Sequence, residues 1–484
     1  MASHLSVEGL AIPSSGRSGA LDKFEKFLAL TIAGVVIYLS ATEDLTWVPF
    51  VLGGLVAALL ISVRWPWGSL LGISLAAAMP RWFFRVNNFK VKPEYLVIAA
   101  CGMVLLARMV AKKHKLQQLT RADYLLFVFI LINFVSSAFA SPDPPQTLRW
   151  ALAQMIVIFP VFLIEQVVTD QKGLGIAMGI WLFAGLAEAV FGILCYGSYI
   201  FFGTQLGVTP FYNLNDIPGV HGSQWEPNIF GSYCATFAVM FLYYFLAAEK
   251  KKGRYLLGFL IVGVGVLLSL ARQAWASTLM AGVAILFFNI RRKRVPWKAL
   301  APLGIVILVA FIGAITVMKD LPDRLASLSL SQVQDDPTVV ERGQYIVLAL
   351  DDIRAHPIFG LGTASFHLMY MANDESYQGV SQAWLGSFFV RIVHDTGIVG
   401  FFFLAWYGCN LGLRAWRVLG VRDPTTAAIG ALFAAVIVMV IAYQLTDAST
   451  LAFTWVHLGL LGAAVRIAER QQGVLPRKRA AAAA

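Results

Sequence analysis

Apolar stretches of about the length of a bilayer crossing recur along the whole chain, separated by short polar segments. They fall near 24–41, 46–63, 68–84, 95–111, 122–140, 149–168, 174–202, 229–248, 255–271, 274–290, 299–318, 385–413, 425–445 and 450–467. About 20 apolar residues in a helix cover the hydrocarbon thickness of a membrane, where only a helix or a closed barrel satisfies its own backbone. The pattern predicts an all-α polytopic membrane protein with about 14 transmembrane helices (12–14). The third run is the weakest: it is short, holds Pro80 and ends in Arg81 and Arg85. The first 22 residues are polar and lack the charge, apolar stretch and small-residue order of a secretory signal, so the run at 24–41 is expected to stay as a span.

Basic residues cluster between the spans: Lys112, Lys113 and Lys115; Lys250, Lys251, Lys252 and Arg254; Arg291 to Arg294; Arg414, Arg417 and Arg422; Arg477, Lys478 and Arg479. Cytoplasmic loops carry such an excess. With both termini cytoplasmic, all five clusters fall on the inner side. The chain then divides into a tail at 1–23, spans 1–11 over 24–318, a periplasmic loop at 319–384, spans 12–14 over 385–467, and a tail at 468–484 whose five final alanines read as an appendage. The long loop predicts a helix that opens at Asp336-Pro337 and stops before Pro357. Val339, Val340, Tyr345, Ile346, Leu348, Ala349 and Ile353 give it an irregular apolar stripe.

Composition narrows the function. Hydrophobic residues make up 58% and charged residues 13% of the 484, which excludes a disordered chain and an ordinary soluble enzyme. The net charge of +11 is accounted for by the inner clusters and does not call for nucleic acid. Four cysteines in apolar surroundings make no CxxC site, and the outer loops hold no clear Asp-x-Asp, so neither a metal nor a cofactor is expected. No Walker motif is present, and no internal repeat of the kind common in secondary transporters is visible.

Charged residues at the outer ends of spans are the candidates for chemistry. Arg272 lies in Ser-Leu-Ala-Arg-Gln-Ala-Trp (269–275), between two spans joined almost without a loop. It would snorkel at the interface or hold an anion. Arg342 sits in the first turns of the loop helix, where Glu341, Asp335 or Asp336 could pair with it, and Arg149 opens a span. Converging guanidiniums would clamp a phosphate or diphosphate, because the planar fork binds phosphoryl oxygens in pairs and stays charged. Candidate bases are Glu226, which could equally just start a helix, then His367, then Asp395, next to His394. His356 reads as a helix end, and Glu188 as an acid paired within the bundle or on a proton path.

At these residues the chain resembles the O-antigen ligase and polysaccharide polymerase superfamily, over roughly 120–465. The points of likeness are Trp225-Glu226-Pro227-Asn228 with Phe230-Gly231-Ser232-Tyr233, the 269–275 segment, Glu341-Arg342 followed by His356-Pro357-Ile358-Phe359-Gly360-Leu361-Gly362, and His394-Asp395-Thr396-Gly397. The resemblance implies a bacterial inner-membrane glycosyltransferase of the GT-C type. Its donor would be undecaprenyl-diphosphate-linked glycan on the periplasmic face, with Arg272 and Arg342 on the diphosphate. The ligases of the family place a His where this chain has Gly386, which favours a polymerase of O-antigen or exopolysaccharide, acting on a lipid-linked acceptor. A chain-length regulator or secretion component is the expected protein partner. The alternatives are a ligase acting on lipid A core or on protein, a lipid-linked oligosaccharide transporter, and a structural assembly partner.

Overall fold

A computed structural model describes residues 66–81, 84–86, 89–110, 116–210, 218–248, 252–291, 337–371, 384–419 and 423–473. The runs expected near 24–41, 46–63 and 299–318 lie outside these residues. So do Asp335, Asp336, the 477–479 cluster and most of the other basic loop residues. The described chain is mostly helical. Its helices are α1 (Pro66–Ala77), α2 (Pro93–Val110), α3 (Arg121–Phe139), α4 (Pro144–Ile158), α5 (Pro160–Val167), α6 (Gln171–Phe202), α7 (Pro227–Ala247), α8 (Lys252–Leu268) and α9 (Arg272–Arg291). They continue with α10 (Pro337–Ala355), α11 (Ser365–Met371), α12 (Phe388–Val418), α13 (Pro424–Ala442) and α14 (Ala452–Gln471). Two short antiparallel hairpins complete the set, β1 (Phe84–Val86) with β2 (Phe89–Val91) and β3 (Val208–Thr209) with β4 (Gly219–Val220).

Among the described residues, seven spans are long and apolar enough to cross a membrane: α2, α3, α4 running on into α5, α6, α7, α12 and α13. Of the helices beside them, α8 is 17 residues long. The third expected run is shorter than its sequence reading. Its helix α1 has 12 residues, about 18 Å at the helical rise, and Phe84 already belongs to a strand.

Polar residues set the helix ends. Thr120 and Asp123 form a capping box on α3, and Asp423 and Thr426 form one on α13. Asp143 and Asp170 cap α4 and α6. Each satisfies backbone N–H groups that have no partner inside the helix.

Helix α7 is the axis of the fold, packed on α6, α8, α9 and α13 and almost wholly buried. Lipid drives no hydrophobic association between helices, so close packing must do it. Here α7 presents rings to glycines of its neighbours: Phe230 to Gly192, Phe237 to Gly185, Phe241 to Gly258 and Tyr243 to Gly430. A Cβ at any of these glycines would collide with the facing ring. Trp181 of α6 packs on Phe237 at 5.0 Å and donates its indole N–H to His457 of α14 at 3.3 Å.

The two ends of the bundle differ. At one end Arg466 pairs with Asp123 at 3.0 Å and with Glu165. Beside it Arg414 grips both oxygens of Glu469, at 2.9 and 2.8 Å. These pairs tie α3, α5, α12 and α14 together. Replacing Arg414 with alanine leaves the buried Glu469 carboxylate without its fork and is expected to cost about 2 kcal/mol. Detergent-solubilised Arg414→Ala should unfold several degrees below the wild type, and Glu469→Gln in the same chain should recover part of the loss. An unchanged melting temperature would mean that the pair adds nothing to stability.

Candidate active site

The opposite end gathers the loops, and the strongest sequence motifs meet there. Glu226 occupies the position before α7 with extended backbone (φ −149°, ψ 160°), yet its side chain makes no capping hydrogen bond. The carboxylate instead accepts from the Asn228 amide and lies within the field of Arg342. Burial holds its pKa above the ordinary carboxylate value, against the opposing pull of Arg342 and Asn228. The loop that delivers it is anchored below. Glu188, in the middle of α6, accepts from the Ser223 backbone N–H at 2.8 Å and its hydroxyl at 2.6 Å. Arg81 packs on His221, at 2.9 Å from Nδ1, and burial beside that cation lowers the imidazole pKa to about 4. Of the two sequence readings for Glu188, the geometry has the paired acid.

Arg272 opens α9 and is half-buried. The turn before it holds Leu270 in the left-handed region (φ 54°) and presses Ser269, Ala271 and Ala274 against Gly231 of α7. A Cβ at Gly231 would stand 2.5 Å from Ser269 Oγ and 2.9 Å from Ala271 Cβ, which accounts for the glycine in the Phe-Gly-Ser-Tyr motif. Next to Arg272, the Gln273 amide donates to Asn228 Oδ1 at 2.8 Å and to Thr446 Oγ1 at 3.0 Å. Gln273 thereby links α9, the Glu226 motif and the turn between α13 and α14.

Arg342 reaches the same place from the loop helix. Helix α10 forms where the sequence predicts it, Pro337–Ala355. Its covered face carries Arg342, Tyr345, Ile346, Ala349, Asp352 and Ile353, whereas Val340 and Leu348 of the predicted stripe are exposed; the Val339 side chain lies outside the described residues. Glu341 accepts from Tyr345 at 2.6 Å, and Arg342 donates to the Leu445 carbonyl at 2.6 Å. Gly386 lies against this contact. A Cβ there would meet the Leu445 oxygen at 3.1 Å and Arg342 Cδ at 3.9 Å, so position 386 faces the arginine.

The other two motifs interlock as backbone. Gly397 breaks α12 with a left-handed φ of 65°. The peptide groups this frees pair with the loop after α10: Leu361 N–H donates to the His394 carbonyl and Gly362 N–H to that of Asp395, both at 2.9 Å. Ile398 N–H returns to the Pro357 carbonyl at 2.9 Å. A Cβ on Gly360 or Gly397 would strike the opposite strand of this lock. The lock holds the foot of α10, and His394 fastens it further by meeting Asp352 of α10 at 3.1 Å.

Residues 233–405 match the O-antigen ligase family. The match runs from Tyr233 in α7 to Ala405 in α12 and is narrower than the resemblance read from the sequence. It takes in Arg272, Arg342, Gly386 and the glycine lock, and leaves Glu226 just ahead of its start. The likeness covers this part of the chain and is to O-antigen ligases; the seven apolar spans among the described residues mark a multi-pass membrane protein. No curated protein matches the chain.

The expected site residues divide. Glu226 lies within the field of Arg342, and Arg272 neighbours in sequence Gln273, whose amide reaches Asn228 and Thr446. Asp395 is buried, with one carboxylate oxygen taking Arg391 at 3.2 Å and the Ala364 N–H at 3.1 Å. Arg391 also pairs with Asp447. These bonds give Asp395 a holding role. His367 is stacked on Trp384 with ring centroids 4.3 Å apart. Arg149 is exposed on α4, and no described contact joins it to the other two arginines. Gln273, Leu445 and Thr446 were not singled out from the sequence. The signal available was a polar run, Gln444 to Asp447, interrupting the last two apolar stretches. Among the described residues no cluster of His, Cys, Asp or Glu suits a metal ion.

Proposed function

We propose that the protein is a polysaccharide polymerase. It transfers glycan from an undecaprenyl-diphosphate carrier to a sugar hydroxyl of a second lipid-linked repeat unit on the periplasmic face of the inner membrane. The observation that carries the reading is the convergence of Arg342, Glu226 and the Arg272 end of α9 on one turn at Leu445–Thr446. Cations at a helix N-terminus suit a diphosphate, and a nearby carboxylate suits the proton of an acceptor hydroxyl.

The reaction is a single displacement with inversion. The bond between the anomeric carbon and the diphosphate oxygen breaks, and the bond from that carbon to the acceptor oxygen forms. Glu226 takes the hydroxyl proton. Negative charge grows on the departing diphosphate, where Arg272 and Arg342 stabilise it more in the transition state than in the ground state. Arg149, outside this group, would meet the lipid phosphates only at the rim. A chain-length regulator or secretion component remains the proposed protein partner.

The name of the matched family favours a second reading, a ligase that delivers glycan to lipid A core or to protein. Gly386 argues for the polymerase. It faces Arg342 without a side chain, so no imidazole acts from that position, and an acceptor bound through its own lipid gains its placement from binding. Purified protein given only undecaprenyl-diphosphate repeat units should build a ladder of longer lipid-linked chains. Transfer to lipid A core with no ladder would establish the ligase instead.

A further inference from the structure

Three aromatic side chains stand together on the Arg342 side of the site and take no part in the chemistry above. His367 of α11 and Trp384 lie nearly parallel, 13° between planes and 4.3 Å between centroids. Trp150 of α4 stands across them at 79° and 85°, with centroids 5.5 Å from Trp384 and 6.3 Å from His367. All three are only partly covered. Residues 384–387 alternate in burial: Leu385 and Ser387 are buried, Trp384 and Gly386 partly exposed. That is the period of an extended strand, so Trp384 and Gly386 face the same way, roughly 7 Å apart. Gly386 faces Arg342. The aromatic corner therefore lies about one sugar ring along from the arginine.

We propose that Trp384, His367 and Trp150 form a stacking platform for a pyranose of the glycan, one unit removed from the diphosphate; this rests on the diphosphate reading of Arg272 and Arg342. One face of a pyranose is a patch of C–H bonds, which an aromatic ring can cover while the hydroxyls at the rim stay solvated. Lipid tails would favour an aliphatic groove. A corner of two indoles and an imidazole instead offers flat faces with polar N–H edges, the chemistry of a sugar. His367 thus serves as part of the platform and not as a base.

The test uses full-length protein in detergent or nanodiscs and three probes. These are undecaprenyl diphosphate without sugar, the undecaprenyl-diphosphate repeat unit from the protein's own host, and the same oligosaccharide released from its lipid. Trp384→Ala should weaken binding of the repeat-unit lipid about tenfold and raise KM with little change in kcat. Affinity for bare undecaprenyl diphosphate should stay within about twofold, and Trp384→Phe should recover most of the loss. Equal weakening of both lipids, or of neither, overturns the platform. If bare undecaprenyl diphosphate binds an Arg272→Ala, Arg342→Ala protein as tightly as the wild type, it is the diphosphate reading that fails. The platform is then judged on the released oligosaccharide, whose binding must fall in Trp384→Ala and return in Trp384→Phe.

Discussion

Replacing Arg272 and Arg342 together with alanine is expected to abolish polymer formation in a protein that still inserts and folds. Each guanidinium contributes a charge-assisted contact of about 1.5–3 kcal/mol to the departing diphosphate. Two independent contacts amount to a loss of roughly two to four orders of magnitude in rate. Lysine at either position keeps the charge but loses the paired donors, so each Lys variant should fall by about tenfold. Folding should survive because neither residue belongs to the ion pairs that hold the opposite end of the bundle. Arg342 does bind the Leu445 carbonyl, so thermal stability of the Arg342 variant must be measured alongside. Near-normal polymer from a stable double variant would defeat the clamp.

The spans were readable because hydropathy and length are properties of a local window. Run three fell short because its Pro80 and paired arginines already belong to the turn and hairpin before α2. The loop helix was readable from its Asp-Pro start and its stripe. The stripe was wrong at Val340 and Leu348 because a local pattern cannot say which side the bundle takes. What decides the site is long-range. Arg342 meets Leu445 and Gln273 meets Thr446 across more than a hundred residues, and nothing local announces either contact. Asp395 is a related case: acids beside histidines suggest catalysis, yet its partner Arg391 is one helical turn away on the same face, and Asp447 joins Arg391 from the turn between α13 and α14. The glycines of the two lock motifs could be noticed in the sequence, but their reason is a close backbone approach between segments that are remote in the chain.

Glu226→Gln gives the sharpest test of mechanism, because it removes the base and leaves the shape. The amide can still accept from Asn228, so the loop and α7 should be undisturbed and the melting temperature close to wild type. Loss of a general base is worth about 10²–10⁴ in rate, and polymer should fall by that factor. The pH profile carries the independent evidence. A base works only as the carboxylate, and burial favours the neutral acid. The Glu226 pKa is therefore raised above 4.5, although Arg342 and Asn228 pull it down. Activity should be low in acid and rise as pH passes through that raised value, placing the acid limb on the alkaline side of 4.5. Glu226→Gln should lose the limb and retain a small, flat activity. Removing the cation at 342 takes away the opposing pull, so the residual activity of Arg342→Ala should show the limb moved further toward alkaline pH. A limb that persists in Glu226→Gln would assign the proton to another group. A limb that stays in place in Arg342→Ala would mean that the arginine and the carboxylate do not sense each other during turnover.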